Sequence, residues 1–244
     1  MMSAVPESET LVVDMERMLL ASFPALEADE RDGVVVGRAH GVTGRANSAV
    51  VVGPVADVTG TLAWANEWLL SRSCRPLFRL SPLAPDPLVE ALGDGGYNVT
   101  SCLHRDLRGL ASLRADHEIH ITATRPDDWI SERAVEGQSE VAALMENVAG
   151  DVAWALVRVD GTPVGAGRGV LVDGWLCVQA MFTEPNARGR GLATAVLNEL
   201  HAWAVARGAT DAFLNVLATN DAAKSIYHAH GYEHVYDYRY IAST

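Results

Sequence analysis

The sequence predicts an α+β fold in which helices pack against a mixed β-sheet. Two Asp-Gly pairs, at 160–161 and 173–174, separate apolar runs, which is the strongest short signal of a β-hairpin. A glycine-rich turn at 188–193 separates another apolar run from a segment whose apolar residues recur at helical spacing. An apolar fraction of 49% is typical of a globular chain, so these elements carry enough apolar surface to form a core.

The first half of the chain is predicted to contain helices and strands of ordinary length. Apolar residues at helical spacing indicate the helices, and short apolar runs bounded by Gly, Pro or Asp indicate the strands. The helices are predicted at 7–22, 58–71 and 85–92, and the strands at 33–39, 46–52, 76–80 and 97–104. A charged stretch without periodicity, 106–117, is predicted to be a linker.

The second half is predicted to begin with a strand and to contain a three-stranded meander. The predicted strands are 118–123, 152–159, 164–172, 175–182, 212–217 and 232–240, and the predicted helices are 127–134, 138–147, 194–206 and 220–230. A Gly-Tyr pair opens the last strand of each half, at 96–97 and at 231–232. The halves are therefore weakly similar, and duplication and chance both remain open as explanations.

The composition argues against several classes of partner and site. A net charge of −12 disfavours a nucleic-acid partner, which requires a basic surface. No apolar run is long enough to span a membrane, and residues 1–10 lack the basic flank of a signal peptide. Cys74, Cys102 and Cys177 form no C-x-x-C pattern, so we expect a reducing, cytoplasmic location without disulfides. His228 and His230 are two apart on a predicted helix and face different directions, so we expect no metal site.

The turn at 188–193 has the chemistry of an anion-binding site. The first N–H groups of a helix have no partner within the helix, and the helix dipole adds partial positive charge there. Gly189, Gly191 and Asp211 also imitate the spacing of a dinucleotide-binding motif. That interpretation is disfavoured because the preceding strand belongs to an antiparallel meander. Taken alone, a glycine turn before a helix is more often a turn that binds nothing.

Two motifs stand in order in the second half, with predicted strands between them. Their residues are Glu184-Pro185, Arg188, Gly191 and Ala193, then the segment 220–227 and Gly231-Tyr232. Together they resemble the GNAT superfamily of acyl-CoA-dependent N-acetyltransferases, over about 119–240. One departure is Thr183, where that superfamily more commonly has a branched apolar residue.

The first half, including the segment 41–48, looks like the amino-terminal half of two-domain GNAT proteins, a degenerate copy that has lost its cofactor. The resemblance implies a degenerate GNAT-like domain without cofactor over 1–112 and a catalytic GNAT domain over 113–244. The first half has no counterpart of the glycine turn, because Asp57 stands where a phosphate would bind.

The resemblance implies that acetyl-CoA is the co-substrate, that no metal takes part, and that the acetyl group passes directly to a primary amine. The backbone N–H groups that would hold the pyrophosphate are those of Arg188, Gly189, Arg190, Gly191, Leu192, Ala193 and Thr194. The residues beside the pantetheine arm would be Met181, Phe182, Thr183, Asn220, Ala223 and Tyr227. A backbone N–H of Met181 or Phe182 would polarise the thioester carbonyl, and Tyr227 would be the catalytic acid that protonates the leaving sulfur.

Several alternatives stay open at the level of sequence. Tyr227 is also an ordinary core tyrosine, and Asn220 is also a favourable helix N-cap. The chain could instead be a non-catalytic acyl-CoA-binding sensor. The general base could be Glu146, Asp151 or Glu184, or a water could relay the proton. The acceptor could be a small-molecule amine or a protein amine, and a homodimer is compatible with the sequence.

Overall fold

The computed structural model of the 244-residue chain describes residues 7–41, 43–93, 95–110, 117–129 and 138–243. In these ranges the chain forms six α-helices and eleven β-strands. The helices are α1 (Glu7–Ser22), α2 (Val58–Leu70), α3 (Asp86–Leu92), α4 (Gln138–Glu146), α5 (Leu192–Val205) and α6 (Asp221–Ala229). The strands are β1 (Glu27–Arg31), β2 (Val34–Arg38), β3 (Ala49–Val51), β4 (Leu77–Leu80), β5 (Tyr97–Asp106), β6 (Ile119–Thr122), β7 (Asp151–Val159), β8 (Thr162–Val172), β9 (Trp175–Thr183), β10 (Asp211–Leu217) and β11 (Glu233–Ala242).

The chain divides into two compact units. Unit one comprises the described residues within Met1–Cys102, Val216–Asp221 and His234–Thr244, and unit two those within Leu103–Asn215 and Ala222–Glu233. Strands β5, β10 and β11 therefore each contribute residues to both units. The predicted boundary between domains 1–112 and 113–244 stays a prediction. The functional assignment of the two predicted domains stays a prediction.

Unit one is a mixed sheet with strand order β1-β2-β3-β4-β11-β5. Strand β3 is parallel to β4, whereas β1 with β2, β2 with β3, and β4 with β11 are antiparallel. Helix α2 closes the core through Ala65 and Leu69, which are fully buried with Val36 of β2. A second buried cluster is ionic: the Arg79 guanidinium pairs with the Glu16 carboxylate, which also accepts a hydrogen bond of 2.8 Å from the Tyr236 hydroxyl.

Strand β1 was not predicted from the sequence. Its residues are Glu-Ala-Asp-Glu-Arg, and four of the five are exposed. A strand whose side chains face solvent on both sides shows no apolar alternation, so its pattern contains no strand signal. Charged side chains on such an edge strand also prevent the edge from pairing with another chain.

Unit two has the strand order β5-β10-β9-β8-β7-β6. Its two predicted hairpins are confirmed: β7 pairs with β8 and β8 with β9, both antiparallel. The turn residues Asp160, Gly161, Asp173 and Gly174 all have φ between +48° and +81°. This is the left-handed pair of conformations that a two-residue hairpin turn of the favoured twist requires.

Glycines on one face of β8 allow helix α5 to lie close to the sheet. A Cβ atom on Gly167 would stand 2.6 Å from both the Met181 Sδ and the Val196 Cγ1, and one on Gly169 would stand 3.1 Å from the Leu200 Cδ2. Any larger residue at Gly167 would therefore displace α5 or β9. The close packing of α5 fixes the position of the turn that precedes it.

The remaining helices and strands were predicted to within a few residues, with two exceptions. In the predicted helix at 127–134, residues 127–129 form a turn, and the rest lies outside the described residues. The predicted linker begins with a packed residue, since Leu107 is 1% exposed and its N–H donates to the Thr210 carbonyl at 2.8 Å; residues 111–116 of that linker lie outside the described residues. No helix within the described ranges is both long enough and apolar enough to cross a membrane.

Candidate functional site

The regular pairing of strand β9 with β8 is interrupted at Ala180. The pairing with β8 shifts from Arg168–Gln179 to Ala166–Phe182, so Ala180 and Met181 together stand opposite Gly167. Ala180 has φ +51°, which marks a β-bulge in a strand that is otherwise extended. A bulge bends its strand and increases the local twist, so it redirects the last residues of β9.

Strand β9 is also longer than its pairing with β10. The parallel pairing joins Trp175–Val178 to Asp211–Leu214, whereas β9 continues for five more residues, to Thr183. Among the described residues, Met181, Phe182 and Thr183 therefore form no ladder with β10, although they remain beside β8. These three side chains are half-buried, so the edge lies partly open.

The glycine turn connects β9 to α5 through a short 3₁₀ turn, Pro185–Ala187. Gly189 has φ +74° and Gly191 has φ +77°, and Gly191 is the N-cap of α5. The first helical hydrogen bond runs from the Ala195 N–H to the Gly191 carbonyl at 2.9 Å. The N–H groups of residues 192–194 therefore precede the helical ladder and point out of the helix end.

Two side chains donate hydrogen bonds to backbone carbonyls of the turn and of the strand before it. The His117 Nε2 donates to the Arg190 carbonyl at 2.9 Å, and the Arg188 Nε donates to the Thr183 carbonyl at 3.2 Å. The hydrogen bond from His117 favours the peptide orientation in which the Arg190 carbonyl faces that imidazole. Sequence reasoning missed His117, since it stands at the end of a presumed linker and no local pattern connects it to residue 190.

Tyr227 lies on α6 and is 8% exposed. Burial raises the pKa of its hydroxyl to about 12, so it keeps its proton throughout the neutral range. Its ring meets the Tyr232 ring edge-on at 6.0 Å, and the Tyr232 hydroxyl is hydrogen-bonded to the His201 Nε2 at 2.8 Å. Burial lowers the pKa of His201 to about 3, which keeps that imidazole neutral.

Two other residues of the second motif, Asn220 and Ala223, precede Tyr227 in the chain. Ala223 is half-buried and lies one turn before Tyr227, so the two share a face of α6. Asn220 is exposed and immediately precedes the helix, with its N–H donating to the Leu217 carbonyl at 2.8 Å. Asn220 is counted with unit one and Tyr227 with unit two, so the predicted role of Asn220 on the pantetheine stays a prediction.

The carboxylates considered as general bases differ in their surroundings. Glu146 forms an ion pair with the Arg125 Nε at 2.6 Å, and Asp151 lies 3.9 Å from the Arg207 Nε. Glu184 is half-buried beside the glycine turn, with its N–H donating to the Val164 carbonyl. The geometry does not single out one of the three as the base.

The corresponding turn of unit one, before α2, is occupied by carboxylates. Asp57 caps α2 by accepting from the Gly60 N–H at 2.9 Å. Asp32 accepts from the N–H groups of Ala56 and Asp57 at 2.9 and 2.8 Å and from the Thr61 hydroxyl at 2.9 Å. These hydrogen bonds lower the pKa of Asp32, so the carboxylate is ionised at neutral pH. The chain's own acids thus take the donors that a phosphate would need.

The histidine and cysteine side chains that the structure describes form no ligand cluster. His228 and His230 donate through Nδ1 to the carbonyls of Tyr232 and Ile226. Cys74, Cys102 and Cys177 form no disulfide with one another. In the part of the chain that the structure describes, no group of three or more His, Cys, Asp or Glu is arranged to hold a metal ion.

Comparison with solved structures identifies the fold. A GCN5-related N-acetyltransferase from Kribbella flavida superposes with a TM-score of 0.69 at 19% identity, covering 98% of this chain and 96% of that chain. One from Sphaerobacter thermophilus has a TM-score of 0.60 at 17% identity, covering 93% and 84%. A tandem GNAT protein from the clavulanic acid biosynthesis pathway has a TM-score of 0.60 at 12% identity, covering 94% and 87%. At these identities the likeness shows a common GNAT fold and no more.

The family is identified by a family model that matches nearly the whole sequence. No protein with curated function matches the chain. A family model described as "Probable histone acetyltransferase Rv0428c C-terminal" matches residues 12–241. Since this match covers both units, and the fold is that of GNAT acetyltransferases, the chain belongs to that family within the GNAT superfamily.

Proposed function

We propose that the protein is an acetyl-CoA-dependent N-acetyltransferase that transfers the acetyl group directly to a primary amine. The observation that carries this proposal is the combination in unit two of a bulged strand leaving its parallel neighbour and a left-handed glycine turn at the next helix. The first offers a strand edge to an extended chain, and the second offers N–H donors to an anion. Coenzyme A has both parts, an extended amide-bearing arm and a pyrophosphate.

The glycine turn fits a pyrophosphate group. Gly189, Arg190 and Gly191 are exposed, and among the described residues nothing lies within 4 Å of a Cβ placed on Gly189. A phosphate oxygen can therefore approach the backbone N–H groups from Arg188 to Thr194. The positive end of the α5 dipole adds to this attraction. The turn before α2 lacks this property because Asp32 and Asp57 fill it.

The open edge of β9 fits the pantetheine arm. Met181, Phe182 and Thr183 would pair with its amides like an added strand, as edge strands do with extended peptides. An N–H of Met181 or Phe182 would then donate to the carbonyl of the bound thioester and stabilise the negative charge that develops there. The thioester itself supplies the activated acetyl group. The Ala180 bulge contributes by turning this part of β9 away from β10.

Tyr227 would donate a hydrogen bond to the departing sulfur. A simple thiol has a pKa of about 8.5, so proton transfer from a hydroxyl with a pKa near 12 is uphill in the free protein. We therefore infer that Tyr227 acts first as a hydrogen-bond donor to the developing thiolate. Complete transfer of the proton to the sulfur then depends on the relative pKa values of the two groups in the site. Asn220 and Ala223 are further candidates for contact with the pantetheine.

The phosphate assignment is tested with Gly191→Asp. The variant places a carboxylate beside the proposed pyrophosphate, and repulsion should weaken acetyl-CoA binding by about tenfold or more. Gly161→Asp is a matched control, because Gly161 has the same φ of +77° and lies in the exposed β7–β8 turn. Isothermal titration would measure both affinities. Equal affinity in two folded variants would contradict the assignment.

A second candidate, an acyl-CoA-binding sensor without turnover, makes the same binding prediction and a different kinetic one. Thiol release from acetyl-CoA, measured with small amines and with a lysine-rich peptide, separates the two. Amine-dependent release supports the transferase and identifies the class of acceptor. Tight binding without release for any amine would favour the sensor.

A further inference from the structure

Unit one contains a cavity of about 480 Å³. It is lined by His40, Gly41, Thr43 and Gly44, by residues between α2 and β4, and by residues near the start of β5 and the end of β11. The turn before α2 does not line it, so it is distinct from the place where a GNAT cofactor would bind. A volume of this size accommodates a small organic molecule.

The cavity is positively charged in a chain whose net charge is −12. Arg38, Arg72 and Arg75 line it, and none of the described lining residues is acidic. Arg72 is committed elsewhere, since its Nε pairs with Glu27 at 2.6 Å and its guanidinium lies 4.0 Å from the Trp68 ring centroid. Arg38 forms a longer ion pair with the same residue, since its Nη1 lies 3.7 Å from the Glu27 carboxylate.

Arg75 is the most available of the three guanidinium groups. It is exposed, and it forms no hydrogen bond or ion pair with any residue that the structure describes. A guanidinium presents a planar fork of donors that matches a carboxylate or phosphate group. Arg75 therefore supplies a guanidinium that has no protein carboxylate among the described residues, and Arg38, which lies 3.7 Å from Glu27, lines the same cavity.

Gly41, Thr43, Gly44 and Asn47, from the loop between β2 and β3, line the cavity. The Asn47 side chain is 8% exposed and makes four hydrogen bonds to this loop. Its Oδ1 accepts from the N–H groups of Ala39 and Gly41, and its Nδ2 donates to the carbonyls of Ala39 and Thr43. The loop is thus held in one conformation before any ligand arrives, which lowers the entropic cost of binding.

The backbone around the cavity is strained. Among the described non-glycine residues, seven have φ between +47° and +58°. Three of them precede glycine in hairpin turns, namely Asp32, Asp160 and Asp173. Of the other four, Ala180 forms the bulge in β9, whereas His40, Ser73 and Asn98 all line this cavity. Histidine and asparagine adopt this region more readily than most residues, and His40 precedes Gly41, so Ser73 is the clearest strained position that lines the cavity.

Aromatic rings provide an apolar surface beside the charges. The Tyr97 and Tyr240 rings lie 6.2 Å apart, and Tyr97 is 45% exposed. The Tyr240 ring lies against Gly44, where a Cβ would come within 2.9 Å of it. We propose that this cavity binds a small organic molecule that carries a carboxylate or phosphate group, held by Arg38 and Arg75 with its apolar part against Tyr97. This site goes beyond acetyl transfer and does not depend on it.

The test uses the full chain and matched pairs of probes in isothermal titration. The pairs are benzoate with benzamide, succinate with succinamide, and phenyl phosphate with phenol. At least one anion should bind about tenfold more tightly than its neutral partner, the typical value of a charge-assisted hydrogen bond. Whether the carboxylates or the phosphate ester bind better distinguishes the two sources of the anion.

Variants then locate the binding. Arg75→Gln and Arg38→Gln should each weaken the anion about tenfold and leave its neutral partner unchanged. Arg31→Gln is the control, because it removes the same charge at the opposite end of the β1–β2 hairpin, where Arg31 pairs with Val34. The proposal is overturned if no anion binds at millimolar concentration, if the neutral partners bind equally well, or if Arg31→Gln has the same effect as Arg75→Gln.

Discussion

At the scale of residues, Tyr227 and His117 are the two side chains of the candidate site that substitution can test. Tyr227 is placed by the sequence on a helix with a known motif, and the structure adds its burial and its raised pKa. His117 belongs to no motif and is found only through its contact with the glycine turn. The two therefore test different parts of the proposal, the chemistry and the positioning of the cofactor.

Tyr227→Phe removes the hydroxyl and keeps the packed ring. We expect turnover to fall by about ten- to a thousandfold, the range for loss of a positioned acid, while acetyl-CoA affinity stays unchanged. Because the pKa of Tyr227 is near 12, its hydroxyl stays protonated below about pH 11. Any loss of activity as the pH is raised to that value should therefore be the same in wild type and variant. Single-turnover kinetics across pH would measure both. Wild-type turnover in a folded variant would make Tyr227 a packing residue.

His117→Ala removes the donor to the Arg190 carbonyl. We expect the Kd for acetyl-CoA to rise about threefold to tenfold, since a neutral hydrogen bond contributes about 1 kcal/mol. His117→Gln should restore part of the affinity because its amide can donate to the same carbonyl. His120→Ala is the control, since His120 lies on neighbouring β6 with its side chain 51% exposed. Equal affinity of His117→Ala and wild type would mean that the contact is incidental.

At the scale of elements, the glycine face of β8 sets the distance to α5. Gly167→Ala introduces a Cβ 2.6 Å from the Val196 Cγ1 on α5 and 2.6 Å from the Met181 Sδ on β9, so at least one of these side chains must shift. We expect a loss of about 1–3 kcal/mol in the free energy of unfolding, as overpacking usually gives, together with weaker acetyl-CoA binding. Gly53→Ala is the control, because its Cβ would meet nothing closer than 3.6 Å among the described residues. Urea denaturation of both variants decides whether this face is tightly packed.

At the scale of the whole molecule, the two units differ in their turns before the helix. Unit two presents open N–H groups after Gly191, whereas unit one fills its turn with Asp32 and Asp57. We therefore expect one acetyl-CoA per chain, bound by unit two. Isothermal titration measures the stoichiometry directly. Two sites per chain, or binding that survives Gly191→Asp unchanged, would contradict this expectation.

The sequence by itself determined the order of most helices and strands, though not β1, together with both hairpins, the glycine turn and the position of Tyr227 on α6. These features depend on local periodicity and turn chemistry, which a short window contains. Two hairpin turns, for example, follow from Asp-Gly pairs whose backbone preference needs no distant partner.

Only the tertiary structure decided the features that depend on distant residues. The bulge at Ala180 arises from a register shift against β8, Asp32 reaches the turn before α2 from a hairpin 24 residues earlier, and His117 contacts Arg190 across 73 residues. The cavity joins Arg38 to Tyr240 in the same way. Such contacts leave no local signal, because they arise when strands pair and helices pack, so the site's precise geometry became visible only in the folded chain.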